Sequence, residues 1–162
     1  MKTAILYGSK YGATECCAKK IASEINGQVE LINLLEKKPH LMSGYDFVLM
    51  GGAVYAGKMA DDVIHGIKGL QLGKTPYGLF ICCKDDAEKA EGYLRFNLGD
   101  KLVNGAIIFE HLGHAINLDN MNVFLKIAMR SMFKIKESYS DFNSAAIHRV
   151  ANQVNRMEIS HG

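Results

Sequence analysis

The chain lacks most of the markers that would send it to a membrane, a metal or a nucleotide. No window of its 162 residues holds the long uncharged apolar run of a transmembrane helix. The first apolar stretch is short and leads straight into a polar turn, so no secretory signal is expected and the chain reads as cytoplasmic. There is no excess of one charge: 19 basic residues face 17 acidic ones, a formal net +2, which makes no case for a nucleic-acid partner. The four cysteines come as vicinal pairs, Cys16-Cys17 and Cys82-Cys83, with neither zinc spacing nor a C-x-x-C motif. No metal is expected, and the thiols read as reduced, small apolar side chains. Neither G-x-x-x-x-G-K-S/T nor G-x-G-x-x-G follows the first strand, so both common nucleotide loops are missing.

What is present is enough length for a single domain and 48% hydrophobic residues to fill its core. The stretch Lys2–Ile25 organises the rest. Ala4-Ile5-Leu6-Tyr7 is a continuous apolar run bounded by Gly8, which predicts a buried strand. A turn of small and polar residues, Ser9 to Thr14, follows. From Ala13 the period becomes helical, with Cys17, Ile21 and Ile25 on one face, and Asn26-Gly27 is a stop signal. Such a strand–turn–helix suits a phosphate. The first helical amides have no partner inside the helix and the macrodipole makes that end positive. Ser9 and Thr14 add hydroxyls, and Gly12 allows close backbone approach. An ordinary capped helix is the bland alternative.

Further along, Gln28–Asn33 alternates as a second strand, Leu34–Gly44 reads as an irregular connection, and Phe47–Met50 is a third, buried strand ended by Gly51-Gly52. Asp61–Leu70 has helical spacing, with His65 on the surface. Tyr77–Cys83 predicts a fourth strand, and Asp85–Leu102 a helix broken near Gly99 and capped by Asp85 or Asp86. Ala106–Leu112 predicts a fifth strand, with His111 and His114 as surface or loop histidines. Asp141–Met157 predicts a closing helix capped by Asp141, with Glu158–Gly162 frayed. Strands alternating with helices predict an α/β fold, a parallel sheet covered on both faces.

Ser9-x-Tyr11-Gly12-x-Thr14 behind an apolar N-terminal strand resembles the FMN phosphate loop of the flavodoxin family, Ser/Thr-x-Thr/Tyr-Gly-x-Thr. Tyr45-Asp46 running into an apolar stretch and paired glycines resembles that family's third strand. The resemblance implies a flavodoxin-like doubly wound sheet of five parallel strands in the order 2-1-3-4-5, with the ligand at the carboxyl ends around strands one and three. It implies FMN as cofactor, with Ser9, Lys10, Tyr11, Gly12, Ala13 and Thr14 at the phosphate. Gly52, Ala53, Val54, Tyr55, Ala56 and Gly57 would line one side of the ring, Tyr55 stacking on it and Gly57 supplying an adaptable peptide. Cys82, Cys83 and Lys84 would line the other edge, with Cys83 an inert thiol. The implied activity is electron transfer through the flavin to a redox partner protein, with no acid–base pair required.

The chain exceeds a minimal flavodoxin between His114 and Ser140, and this stretch is read as a helical insert before the last helix. Within Asn120–Lys136, Lys126, Arg130 and Lys134 form a basic stripe, and Met121, Phe124, Leu125, Ala128, Met129, Met132 and Phe133 a broad apolar surface. Such a helix packs on its own domain, lies on anionic lipid as a peripheral contact through 120–136, docks a partner, or grips an anionic planar ligand. The insert, the N-terminal MKTAILYGSKYGAT and the Asp141-Phe142 start of the last helix resemble the branch containing menaquinone-dependent protoporphyrinogen dehydrogenases. That implies, as an alternative, a dehydrogenase for a porphyrinogen- or quinone-like substrate. A flavin-free interaction module is the alternative from outside redox chemistry.

Overall fold

The structure is a computed structural model and describes residues 1–132 and 134–160, the last three by backbone only. Its first strand, β1 (Lys2–Gly8), leads through the Ser9–Gly12 turn into α1 (Ala13–Glu24), and β2 (Gln28–Asn33) returns alongside. Then come β3 (Phe47–Tyr55), the two-residue β4 (Lys58–Met59), α2 (Asp61–Lys68), β5 (Tyr77–Cys82), α3 (Ala87–Leu98), α4 (Asp100–Gly105) and β6 (Ile108–His111). The parallel strands are ordered β2-β1-β3-β5-β6, the order expected from the sequence, and β4 folds back antiparallel on β3.

Two cores form because alternate strand residues face opposite sides. Ala4, Leu6, Val48, Met50, Leu79 and Ile81 pack against α2, α3 and α4 through Val63, Ile67, Ala90, Leu94, Leu98 and Val103. Ile5, Tyr7, Phe47, Leu49, Phe80 and Cys82 pack against α1 and the last helix, α6 (Ser144–Ser160), through Cys17, Ile21, Ile147, Val150 and Val154. Burial on both faces explains why these strands read as unbroken apolar runs; each large side chain so buried contributes about 1.5–3 kcal/mol. Asn155 ties the two helices of the second layer: its amide donates to Glu24 O at 2.9 Å and accepts from Asn26 N at 2.8 Å, closing the end of α1.

Several boundaries differ from the sequence reading. Gly51-Gly52 do not end the third strand, which continues to Tyr55. A Cβ on Gly51 would stand 2.1 Å from the Phe80 carbonyl oxygen, so the missing side chain serves close approach of β5 rather than a break. Asp141 is not the cap of α6. It lies in a strand, and Asn143 caps instead, its Oδ1 accepting from Ala146 N at 3.0 Å. α6 runs on through Ser160, so the backbone of 158–160 is helical where fraying was expected. Residues 161–162 of that tail, and Phe133 of the expected apolar surface, lie outside the described residues.

The insert is more than a helix. β7 (Gly113–Ile116) and β8 (Tyr139–Phe142) pair antiparallel, and between them α5 (Val123–Met132) occupies a shorter span than the sequence suggests. Asn122 caps α5, accepting from Leu125 N at 2.9 Å. Ile116, Leu118, Met121 and Met129 form a small third core with Tyr11, Leu125 and Ile135 against it. Among the described residues no helix is long and apolar enough to cross a membrane.

Candidate functional site

The carboxyl ends of β1, β3 and β5 meet at one edge of the sheet, and the insert folds over them. After Gly8 the chain turns sharply. Ser9 is held to the end of β2 by two contacts with the Asn33 amide, at 3.4 and 3.3 Å. Gly12 N donates to Ser9 Oγ at 3.1 Å, and Gly12 has φ 88°, the left-handed region that favours glycine. α1 therefore starts at Ala13 with the amides of Ala13, Thr14 and Glu15 lacking intrahelical acceptors. Asn120 of the insert donates to Tyr11 O at 3.0 Å and so fastens the cover to this turn. Lys10 is exposed, with its ammonium 5.5 Å from the Tyr11 ring centre.

The second wall is the β3–β4 hairpin. Tyr55 pairs with Lys58 across a two-residue turn in which Ala56 and Gly57 have φ 49° and 79°. Positive φ at both central positions matches the twist of the flanking strands. Asn97 of α3, buried, pins this hairpin: its Oδ1 accepts from Met59 N at 3.0 Å and its Nδ2 donates to Gly57 O at 3.1 Å. The Tyr55 ring is 46% exposed because it faces the open cavity, yet walls around it raise its phenol pKa through desolvation first, then Cys82 and Tyr11.

The third wall is the end of β5. Cys82 Sγ lies 3.9 Å from Cys17 Sγ, and that contact, with burial, pushes the Cys82 thiol well up. Burial likewise raises Cys83. Both are therefore neutral thiols at physiological pH, which fits inert packing rather than thiolate chemistry. Tyr93 donates to Asp85 Oδ2 at 2.9 Å and its ring backs Gly57. His111 sets a ring nitrogen 2.9 Å from Cys83 O.

Together these walls enclose a cavity of about 500 Å³, within the range of small-molecule and cofactor sites. From the sequence-predicted set it brings together Tyr11, Ala13 and Thr14, the whole of Ala53–Gly57, and Cys82, Cys83 and Lys84. Ser9, Lys10, Gly12 and Gly52 are not on its wall: Ser9 and Gly12 shape the turn behind it, and Gly52 packs toward Val63 and Met59 inside β3.

The insert supplies the rest. His114, expected as a surface or loop histidine, sits in β7 and lines the cavity, its ring 5.0 Å from Tyr139 at 77°. Desolvation lowers its pKa, helped by nearby Lys84 and His111 and opposed by Asp141. Ile116, Met121, Leu125, Met129 and Ile135 complete an apolar wall. The four-residue spacing of Leu125 and Met129 puts both on the inward face of α5, and Met121 joins them from the turn before the helix. No group of three or more His, Cys, Asp or Glu among the described residues is placed to hold a metal ion.

Residues 4–143 match the model of the flavodoxin domain. No curated protein matches the chain. Among solved structures it is similar to oxidised flavodoxin 1 of Bacillus cereus, at 15% identity over 84% of this chain and 100% of that one, with a TM-score of 0.51. It is also similar to the flavodoxin of Streptococcus pneumoniae TIGR4, at 13% identity over 97% of this chain and 99% of that one, with a TM-score of 0.57. At such identities the likeness is one of fold, and it agrees with the strand order read from the sheet. The family match spans most of the chain, and on it the chain belongs to the flavodoxin domain family.

Proposed function

We propose that the cavity at the carboxyl ends of β1, β3 and β5 binds FMN and that the protein is an electron-transferring flavoprotein. The carrying observation is the junction of two unlike surfaces at one place: free amides at the start of α1, and an apolar cavity beside them whose wall includes Tyr55. The donor set fits a phosphate. Ala13, Thr14 and Glu15 offer backbone N–H groups, and Gly12 presents no Cβ. The rest fits a flat aromatic ring, with Tyr55 able to stack and Ala53–Gly57 and Cys82–Lys84 supplying backbone groups for its polar edge.

When bound, FMN supplies the transfer of electrons or hydride. The chain's residues hold, orient and screen it. The hairpin pinned by Asn97 fixes Tyr55, neutral thiols at Cys82 and Cys83 stay out of the chemistry, and the insert keeps bulk water from the apolar wall. The test is the visible absorption spectrum of the purified protein before and after FMN is added. Flavin bands that stay with the protein on gel filtration support the reading, and weaker retention by Gly12→Val locates the site, because any side chain at φ 88° is strained and a Cβ there meets Asn120 Nδ2 at 3.3 Å. A colourless protein that ignores FMN favours the flavin-free interaction module.

The apolar lining that the insert adds favours a second reading of the same site, a dehydrogenase for a porphyrinogen- or quinone-like molecule rather than a shuttle to a protein partner. The support is the apolar wall of Ile116, Met121, Leu125, Met129 and Ile135 facing the cavity. A flat apolar substrate has surface to bury there, whereas a docking protein would meet the cover first. FMN-loaded protein should then oxidise protoporphyrinogen with a quinone acceptor, and absence of turnover leaves the electron-carrier role.

A further inference from the structure

α5 carries two apolar faces, and the cavity uses only one. Leu125 and Met129 turn inward. Val123, Phe124 and Ile127 turn outward, Phe124 being 85% exposed. On a helix of 3.6 residues per turn Val123, Phe124 and Ile127 share one flank; Arg130 follows on it and Lys126 borders it. A run of large exposed apolar side chains on one helix is rare on a monomer surface and marks an interaction site.

The charge distribution selects the partner. Residues 120–136 hold Lys126, Arg130, Lys134 and Lys136 and no acidic residue, while the rest of the chain has 15 basic against 17 acidic residues. The net positive charge of the protein therefore sits wholly on this segment. Among the described residues none of these four groups is paired with a carboxylate, whereas Lys19, Lys38, Lys58, Lys89, Arg95 and Arg149 are.

We propose that the outward face of α5 docks on an anionic phospholipid bilayer. Val123, Phe124 and Ile127 enter the boundary between headgroups and acyl chains, and Lys126 and Arg130 on the helix, with Lys134 and Lys136 just after it, lie against lipid phosphates. A protein partner is disfavoured by the same geometry. Interface cores are depleted in lysine and bury a broad patch, whereas here basic and apolar side chains interleave along one convex helix of ten residues. So short a helix binds reversibly, and because its other face lines the cavity, docking brings the cavity alongside lipid.

The test is flotation of the whole protein with vesicles of phosphatidylcholine alone and of phosphatidylcholine mixed with phosphatidylglycerol, at low and high salt. Association is expected only with the mixed vesicles. It should weaken at high salt, fall about five-fold with Arg130→Gln, and disappear with Phe124→Asp. Both side chains are exposed, so circular dichroism and FMN uptake should stay at wild-type values and separate docking from folding and from the cavity's cofactor. Absence of binding to the mixed vesicles overturns the proposal, as does binding indifferent to both substitutions or equal binding to neutral lipid. A concentration-dependent dimer in sedimentation velocity that Phe124→Asp dissolves also overturns it, assigning the face to a second copy of the chain.

Discussion

Asn97→Ala tests whether one buried amide holds the hairpin wall of the site. The Asn97 side chain is almost fully buried and makes three hydrogen bonds: it accepts from Met59 N at 3.0 Å and donates to Gly57 O at 3.1 Å and Tyr93 O at 2.7 Å. Tyr93 O lies inside α3 and keeps its helical donor, so it loses little. Met59 is buried, and its N–H is left without an acceptor, at a cost of about 1–3 kcal/mol. The lost bond to Gly57 O and the void left by the amide bring the total to about 3 kcal/mol. For a chain of this size that lowers Tm by roughly 6–12 °C. Urea denaturation followed by far-ultraviolet circular dichroism measures the stability, with an unchanged m-value confirming that the native state alone is affected. FMN titration on the same samples should show weaker binding, since the turn that carries Tyr55 is no longer anchored. Asn97→Asp keeps the acceptor for Met59 but turns a buried carboxylate oxygen toward two carbonyl oxygens, so it should destabilise at least as much as Asn97→Ala. If Asn97→Ala stays within about 0.5 kcal/mol of wild type, the amide is not the anchor and the reasoning fails.

Thr3 is fully buried in β1 and its Oγ1 has no hydrogen-bond partner, so Thr3→Val should stabilise the protein by about 1 kcal/mol in the same urea assay; a loss of stability would mean the hydroxyl has a partner after all. Burial, then the hydrogen bond to Glu30 at 2.5 Å, pushes the Tyr45 phenol up to about 12, above its unfolded value near 10. A raised folded pKa means that this contribution to stability is complete below the unfolded value and disappears as pH rises from 10 to 12, so the wild-type advantage over Tyr45→Phe should shrink across that window; a pH-independent difference refutes it. Of the four free cysteines only Cys16 is exposed, so one thiol should react quickly with a disulfide reagent in the native protein and the rest only on unfolding. Fast labelling of Cys82 contradicts its burial against α1.

Much of this architecture was legible because local and global signals agree. The run Ala4–Tyr7, the small-residue turn and the helical period after Ala13 each constrain the same strand–turn–helix, and the bounds of β2 match the sequence reading to the residue. Gly51-Gly52 misled because glycine looks the same whether it breaks a strand or admits a neighbour. The deciding fact, the Phe80 carbonyl beside Gly51, belongs to a strand far along the chain. The segments GHAI and YSDF carry no strong alternation, and they become strands by pairing with each other. His114 is polar and follows a strand, so only the fold reveals that it turns into the cavity. The stretches Tyr11, Ala13–Thr14, Ala53–Gly57 and Cys82–Lys84 are named in advance only through the resemblance to the flavodoxin family, and the structure brings them onto one cavity. The fourth wall could not be read in advance, since its side chains gain meaning from the elements they cover.

The insert leaves and rejoins the sheet at adjoining points. Gly113 pairs with Phe142, and Asn143 N donates to Leu112 O at 3.0 Å, so the excursion is zipped shut at its own base. Loop closure is therefore settled at that seam, and the entropy of the excursion grows only slowly with what lies beyond it. A chain built in this way can trade its cover for a shorter or longer one without displacing β6 or α6. The scaffold that carries the Ser9–Gly12 turn and the cover over the cavity are thus joined along the chain only at that seam, and a change in one need not disturb the other.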